Sequence, residues 1–272
     1  MDVTASGVPP VKFTSCQAPS ADVFCGAVVR FIGERLGLRT ELVMDLPWKE
    51  RERRFDSGDI DVCWMCGWPY AMRVDRLPLT LDLIAAPVMA DPRYLDQPIY
   101  FSDIVVRVDS PFATFEDLEG RAWAYNEPMS HSGYNAVRYF LAMQGRDGGC
   151  FRSVVESGSH EASIDLVLNR TIDASAIDST VLEAIGRRRP EIKPLLRVIG
   201  TIGPSPAPPW VVRSSLSRHL RDALRKAFLT MHQSAEGRTI LQSAALQRFE
   251  PVDDRYYDSI REMAATGSRA RL

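Results

Sequence analysis

RAWAYNEPMSHSGYNAVRYFLAM, residues 121–143, sets a strand, a polar loop and a helix in one unbroken run. Arg121 to Tyr125 reads as a strand, and Tyr134 to Met143 as a helix. The same cadence continues downstream. Ser153 to Ser157 is strand-like, His160 to Asn169 helical, Ile172 to Ile177 strand-like and Ser179 to Arg189 helical, with Leu195 to Ile199 as a closing strand. Strands and helices in alternation predict a parallel sheet covered by helices.

Working upstream, the pattern has already occurred once. Val11 to Cys16 reads as a strand, Asp22 to Leu36 as a helix with Phe24, Val28, Phe31 and Ile32 on one face and Gly37 as its stop. Arg39 to Asp45, Ile60 to Met65, Leu81 to Met89 and Ile99 to Val108 follow as strands, with a short charged helix from Trp48 to Ser57. Two α/β blocks predict two lobes: 9–101 as the first part of lobe 1, 102–204 as lobe 2, and 205–272 as a return to lobe 1 with C-terminal helices. The Pro- and Gly-rich Gly200 to Pro209 (GTIGPSPAPP) reads as the hinge. Beyond it, Trp210 to Arg213 is strand-like, and Leu216 to Met231, Ala235 to Ala245 and Tyr256 to Ala264 read as helices. A cleft between two such lobes suits a small ligand.

Composition narrows the function classes. The 272 residues carry 33 Lys+Arg against 35 Asp+Glu, a net charge of −2, which argues against a broad phosphate-binding surface and hence against nucleic acid. No stretch approaches the ~18 apolar residues needed to cross a bilayer. MDVTASGVPPVKF at the N-terminus shows no basic n-region and no apolar h-region, so no secretory signal is visible and a cytoplasmic location stays open.

Five cysteines, an odd number, argue against a disulfide framework. Cys63 and Cys66 form a C-x-x-C without a second pair or a paired histidine, so structural zinc is not expected. Extended residues three apart point to opposite faces, which predicts two reduced, buried thiols.

Three strand ends carry polar loops. Ser130, His131, Ser132 and Gly133 stand where a helix begins, either as an ordinary N-cap or as an oxyanion cradle of hydroxyls and free N–H groups. His160, opening the next helix, is either a structural histidine or an anion donor. Asp178 caps the helix after it or faces a ligand. Open α/β sheets bind ligands at such strand ends.

Taken together, Tyr100…IVVRVDS…FEDLEGRAWAYNEPMSHSGY…GSHEASIDLVLNRTIDASAID resembles the phosphate/phosphonate-binding (PhnD-like) substrate-binding proteins of ABC importers. Gly58 to Val62 followed by Gly67-Trp68-Pro69-Tyr70 fits as well, and the resemblance runs from Val11 to Ala265. It implies a two-lobed α/β type II periplasmic-binding-protein fold. By that resemblance Ser130, His131 and Ser132 form the oxyanion loop, His160 contacts the oxyanion, and Tyr100 is a pocket wall. Asp178 would lie against the ligand, and Tyr70 in a first-lobe pocket position. His131 departs from the Thr usual in the phosphonate branch, and Thr180 stands where an acidic residue is expected. Five tryptophans exceed what a bare oxyanion site needs, and read either as core or as a wall for a heterocyclic or cationic ligand.

The expected function is therefore a monomeric solute-binding protein of an ABC importer, periplasmic by resemblance. It would take a small anionic or zwitterionic ligand, dock on a membrane permease and need no cofactor or metal. An enzyme on the same fold, of the thiamin-pyrimidine or menaquinone-precursor type, and a ligand-sensing module are the alternatives. No G-x-S-x-G and no G-x-x-x-x-G-K-[ST] occurs, so a nucleophile or P-loop enzyme is not expected.

Overall fold

The computed structural model describes residues 9–77, 80–146 and 149–272. Eleven strands and nine α-helices are formed among them. In chain order they are β1 (Val11–Ser15), α1 (Asp22–Leu36), β2 (Thr40–Leu42), α2 (Trp48–Ser57), β3 (Val62–Trp64), α3 (Gly67–Arg76), β4 (Leu81–Met89) and β5 (Ile99–Arg107). Then come β6 (Ala122–Tyr125), α4 (Ala136–Met143), β7 (Ser153–Glu156), α5 (His160–Leu168), β8 (Ala174–Asp178), α6 (Ser179–Arg188) and β9 (Leu196–Pro206). The chain finishes with β10 (Trp210–Arg213), α7 (Arg218–Leu229), α8 (Ala235–Ser243), β11 (Leu246–Glu250) and α9 (Asp258–Gly267).

These elements divide into two α/β units. The first contains the chain up to Met65, Arg73–Pro98 and Pro208–Asp253; the second contains Cys66–Met72, Ile99–Ala207 and Asp254–Leu272.

The first unit is built on a six-stranded sheet in the order β11-β4-β10-β3-β1-β2. β1 runs parallel to β2 and β3, whereas β10 lies antiparallel between β3 and β4. Val62, Cys63 and Trp64 of β3 are buried on both faces, as expected of a central strand. α1 covers the sheet with Phe24, Val28, Phe31 and Ile32 and ends at Gly37, whose φ of +62° closes the helix through its N–H to the carbonyls of Gly33 and Glu34. Two tryptophans of this unit are core: Trp64 stacks on Trp210 at 5.4 Å, and Phe24 meets Trp64 edge-on at 5.7 Å.

The second unit carries the five-stranded sheet β7-β6-β8-β5-β9. β6 is parallel to β7 and β8, and β5 pairs antiparallel with both β8 and β9. All five residues of the central β8 are buried. Trp123 stacks on Phe151 at 4.6 Å and meets Phe115 edge-on, closing the core beneath β6.

Two sequence expectations change here. Gly200 to Pro206 is strand rather than open linker, since β9 runs through Pro206 and pairs with β5 as far as Ile99, while the division between the two units falls inside the same stretch, between Ala207 and Pro208. β9 is an edge strand, where a missing proline N–H costs no ladder bond, and the pairing shifts register twice to accommodate the irregular backbone. The segment Asp254–Leu272, read as part of the return to the first lobe, groups with the second unit. There Gly267 lies against the backbone of Arg138 and Tyr139, so close that a side chain would clash, and Arg138 donates to the Ala270 carbonyl at 2.8 Å.

Candidate functional site

The polar loops predicted at strand ends lie at the ends of β6, β7 and β8 in the second unit. After β6 the chain passes through Asn126 to Ser130, whose Oγ accepts the Gly133 N–H at 3.1 Å and caps the helix. The first turn, His131–Asn135, is wound as a π-turn before α4 begins. Such single π-turns concentrate at functional sites.

Ser132 is the residue of this loop that meets another loop. Its Oγ lies 3.1 Å from Nε2 of His160, the first residue of α5, which Ser159 caps through the Ala162 N–H. The Ser132 carbonyl is fixed by the Ser102 hydroxyl at 2.7 Å. Ser102 is in turn the register partner of Asp178 across β5 and β8, which brings the third strand end beside the first.

Gly133 has a reason to be glycine. A Cβ there would sit 2.0 Å from Asn126 Oδ1 and 3.2 Å from His160 Cε1. Gly133 thus packs against both Asn126 and His160.

Around Ser132, three buried polar atoms have no hydrogen-bond partner: His160 Nδ1, Asn126 Oδ1 and Tyr100 Oη. Each such atom costs roughly 1–3 kcal/mol when left unpaired. The three, from β5, the loop after β6 and the start of α5, fall around one residue.

The electrostatics are those of a neutral, dipolar cradle. Burial alone pushes His160 down to about 4 and His131 down to about 3, so both imidazoles are uncharged at neutral pH. Burial raises Asp178 to about 6, against the pull of its bonds from Thr180 and Val181. Those bonds all fall on Oδ1: the Thr180 N–H at 2.8 Å, the Thr180 hydroxyl at 2.7 Å and the Val181 N–H at 3.3 Å. Asp178 is therefore the N-cap of α6 and a protonatable group at once. Burial likewise raises the Tyr100 phenol well above its usual value, aided by the nearby Cys66 and Asp178.

The expected residues are not all placed alike. Ser132, His160, Asp178 and Tyr100 come together. Ser130 spends its hydroxyl on the cap. His131 is turned into the interior: the Asn135 amide donates to Nδ1 at 3.0 Å, leaving the proton on Nε2, which faces the Ser205 hydroxyl at 2.9 Å. Tyr70 was expected in the first lobe, yet lies in the Cys66–Met72 segment of the second unit, with its hydroxyl on Asp254 at 3.0 Å and its ring against Tyr257.

Sequence reasoning passed over Asn126 and Ser102. The quoted loop begins at Asn126, so the residue was in view; what gives it weight is the missing side chain of Gly133. Nothing in the sequence singles out Ser102, whose importance is set by strand register.

The sequence signature of the family described as "ABC transporter, phosphonate, periplasmic substrate-binding protein" matches residues 19–257. The chain is 25% identical over 210 residues to the phosphonates-binding periplasmic protein of Escherichia coli (strain K12), an alignment spanning 75% of this chain and 60% of that protein's length. Among solved structures, a binding protein component of an ABC phosphonate transporter from Pseudomonas aeruginosa superposes with a TM-score of 0.83 at 20% identity, covering 96% of this chain and 87% of that one. PhnD1 from Prochlorococcus marinus, in complex with methylphosphonate, also gives 0.83, at 18% identity and with 95% and 98% of the two chains covered. The fold is that of these two-lobed α/β binding proteins.

Proposed function

Because the chain belongs to the family of periplasmic substrate-binding proteins of phosphonate ABC transporters, we propose that it captures a small phosphonate-like oxyanion and presents it to a membrane permease. It acts as a single copy and performs no chemistry on the ligand. The observation that carries this reading is the meeting of Ser132 and His160 at 3.1 Å amid three unpartnered buried polar atoms. In this reading Ser132, His160, Asn126 and Tyr100 hold the oxyanion through hydroxyl, imidazole and amide groups, while Ser130 and His131 shape the loop.

The charge balance specifies the ligand further. Both histidines are neutral, so the oxyanion meets dipoles and hydrogen-bond donors rather than a formal cation. Asp178 repels a full dianion, whereas a monoprotonated oxyanion or a zwitterion brings a proton or a positive group to its carboxylate. Protonated Asp178 can itself donate, which favours anions below a pH of about 6.

The test is a thermal-shift screen of methylphosphonate, other phosphonates, phosphate, phosphite, sulfonates and heterocyclic zwitterions. A ligand at about 100 Kd stabilises the folded state by roughly 2.7 kcal/mol. A shift with a phosphonate, confirmed by titration calorimetry, supports the reading. Silence from every oxyanion, with stabilisation by an uncharged heterocycle, overturns it.

A further inference from the structure

The C-x-x-C motif pairs differently from its spacing. Cys63 belongs to the first unit and Cys66 to the second. The Cys66 sulfur, raised by burial to about 11, accepts backbone N–H groups from His131 and Trp68 in the second unit. Cys63 instead lies in β3 of the first unit with its Sγ 3.8 Å from the Sγ of Cys16, at the end of β1.

The register explains the approach. Thr14 of β1 is the partner of Cys63 in β3, and Cys16 follows Thr14 by two residues, so it projects on the same side of the sheet. The backbone is held there by the Cys16 N–H to the Trp64 carbonyl at 2.8 Å. The two thiols are therefore diagonal neighbours on a fixed pair of strands. A disulfide at ~2.05 Å requires the sulfurs to close by about 1.8 Å, within reach of side-chain rotation.

We propose that Cys16 and Cys63 form an intramolecular disulfide when the protein meets a disulfide oxidant, so that β1 and β3 carry an oxidative modification site. Cys16, half-buried, attacks as thiolate one sulfur of a low-molecular-weight disulfide RSSR and expels RS⁻. Cys63, fully buried, then attacks the Cys16 sulfur of the mixed disulfide and expels the second RS⁻. Two protein thiols and one RSSR become one protein disulfide and two RSH, the two RS⁻ taking up the two protons. Cys25 is the other thiol near Cys16, but it lies buried in α1, whereas the sulfur that approaches Cys16 Sγ to 3.8 Å is that of Cys63. The pair belongs to the first unit and the Ser132–His160 site to the second, so this inference does not depend on the ligand.

The test uses the full chain, reduced and then incubated with oxidised glutathione, followed by thiol counting under denaturing conditions and peptide mapping after alkylation. The expected result is a fall from five free thiols to three, a single linked peptide pair containing Cys16 and Cys63, and full reversal by dithiothreitol. Cys16→Ser, at the more accessible position, should leave its four remaining thiols free of intramolecular linkage. Cys66→Ser should still form the Cys16–Cys63 link and end with two free thiols. Five thiols surviving in the parent chain, or a linked pair mapping to Cys63–Cys66 or Cys16–Cys25, overturns the proposal.

Discussion

Replacing His131 by glutamine should change how stability responds to acid more than it changes stability at neutral pH. In the folded chain the buried imidazole is pushed down to about 3, from an ordinary value of 6.5. A group whose value is depressed by folding lends stability above its unfolded value and loses it as pH falls. Between pH 7 and pH 5 the unfolded imidazole goes from about one-quarter to nearly fully protonated, while the folded one stays neutral. That difference removes about 2 kcal/mol of stability over the interval. His160, pushed down to about 4, adds a similar loss, and Asp178, raised to about 6, works the other way because the folded state takes up its proton first. Both groups remain in His131→Gln, so subtracting variant from parent isolates His131. Urea unfolding at pH 7 and pH 5 should show the parent losing about 2 kcal/mol more than His131→Gln. Equal losses would mean that His131 is protonated in the folded protein, and that the Ser205 and Asn135 hydrogen bonds do not hold a neutral ring.

Tyr100→Phe removes a buried hydroxyl that has no hydrogen-bond partner within the chain; it should raise the unfolding free energy by about 1 kcal/mol while weakening phosphonate binding measured by calorimetry. Gly133→Ala drives a methyl group to within 2.0 Å of Asn126 Oδ1, and the forced shift should cost about 1–3 kcal/mol in a urea titration. His160→Ala should lose about 1.5–3 kcal/mol of affinity for a ligand that saturates the parent; unchanged calorimetric affinity would take the residue out of the site. Asp178→Asn should move preference toward more highly charged anions, read as the ratio of phosphate to methylphosphonate affinity at pH 8, and an unaltered ratio would place the ligand away from the carboxylate.

The alternation of strand and helix was legible because each element carries its own signal: Gly37 stops α1, Asp178 starts α6, and Ala174, Ala176 and Ile177 give β8 its apolar residues. What failed were signals that depend on partners. GTIGPSPAPP has the composition of a linker, and only its pairing with β5 makes it a strand. Leu246–Glu250, a polar alternation between two helices, becomes β11 because β4 offers it an edge. The same divide runs through the site. Ser132 and His160 are visible from their positions at helix starts, whereas the inward turn of His131 depends on Ser205 and Asn135. A histidine in a polar loop looks reactive in one dimension, and in three its ring is held by two hydrogen bonds in the interior.

The strand order of the first sheet has a consequence for how the molecule can be made. β10 lies between β3 and β4, and β11 lies on the far side of β4, yet every strand of the second sheet is synthesised before either of them. A nascent chain that has emerged only as far as Ala207 can pair all five strands of the second sheet, while β3 and β4 still present open edges to the surroundings. Vectorial synthesis therefore leaves the first third of the chain waiting on the last quarter. During that interval its bare edges are the part of the polypeptide in greatest need of a holding chaperone.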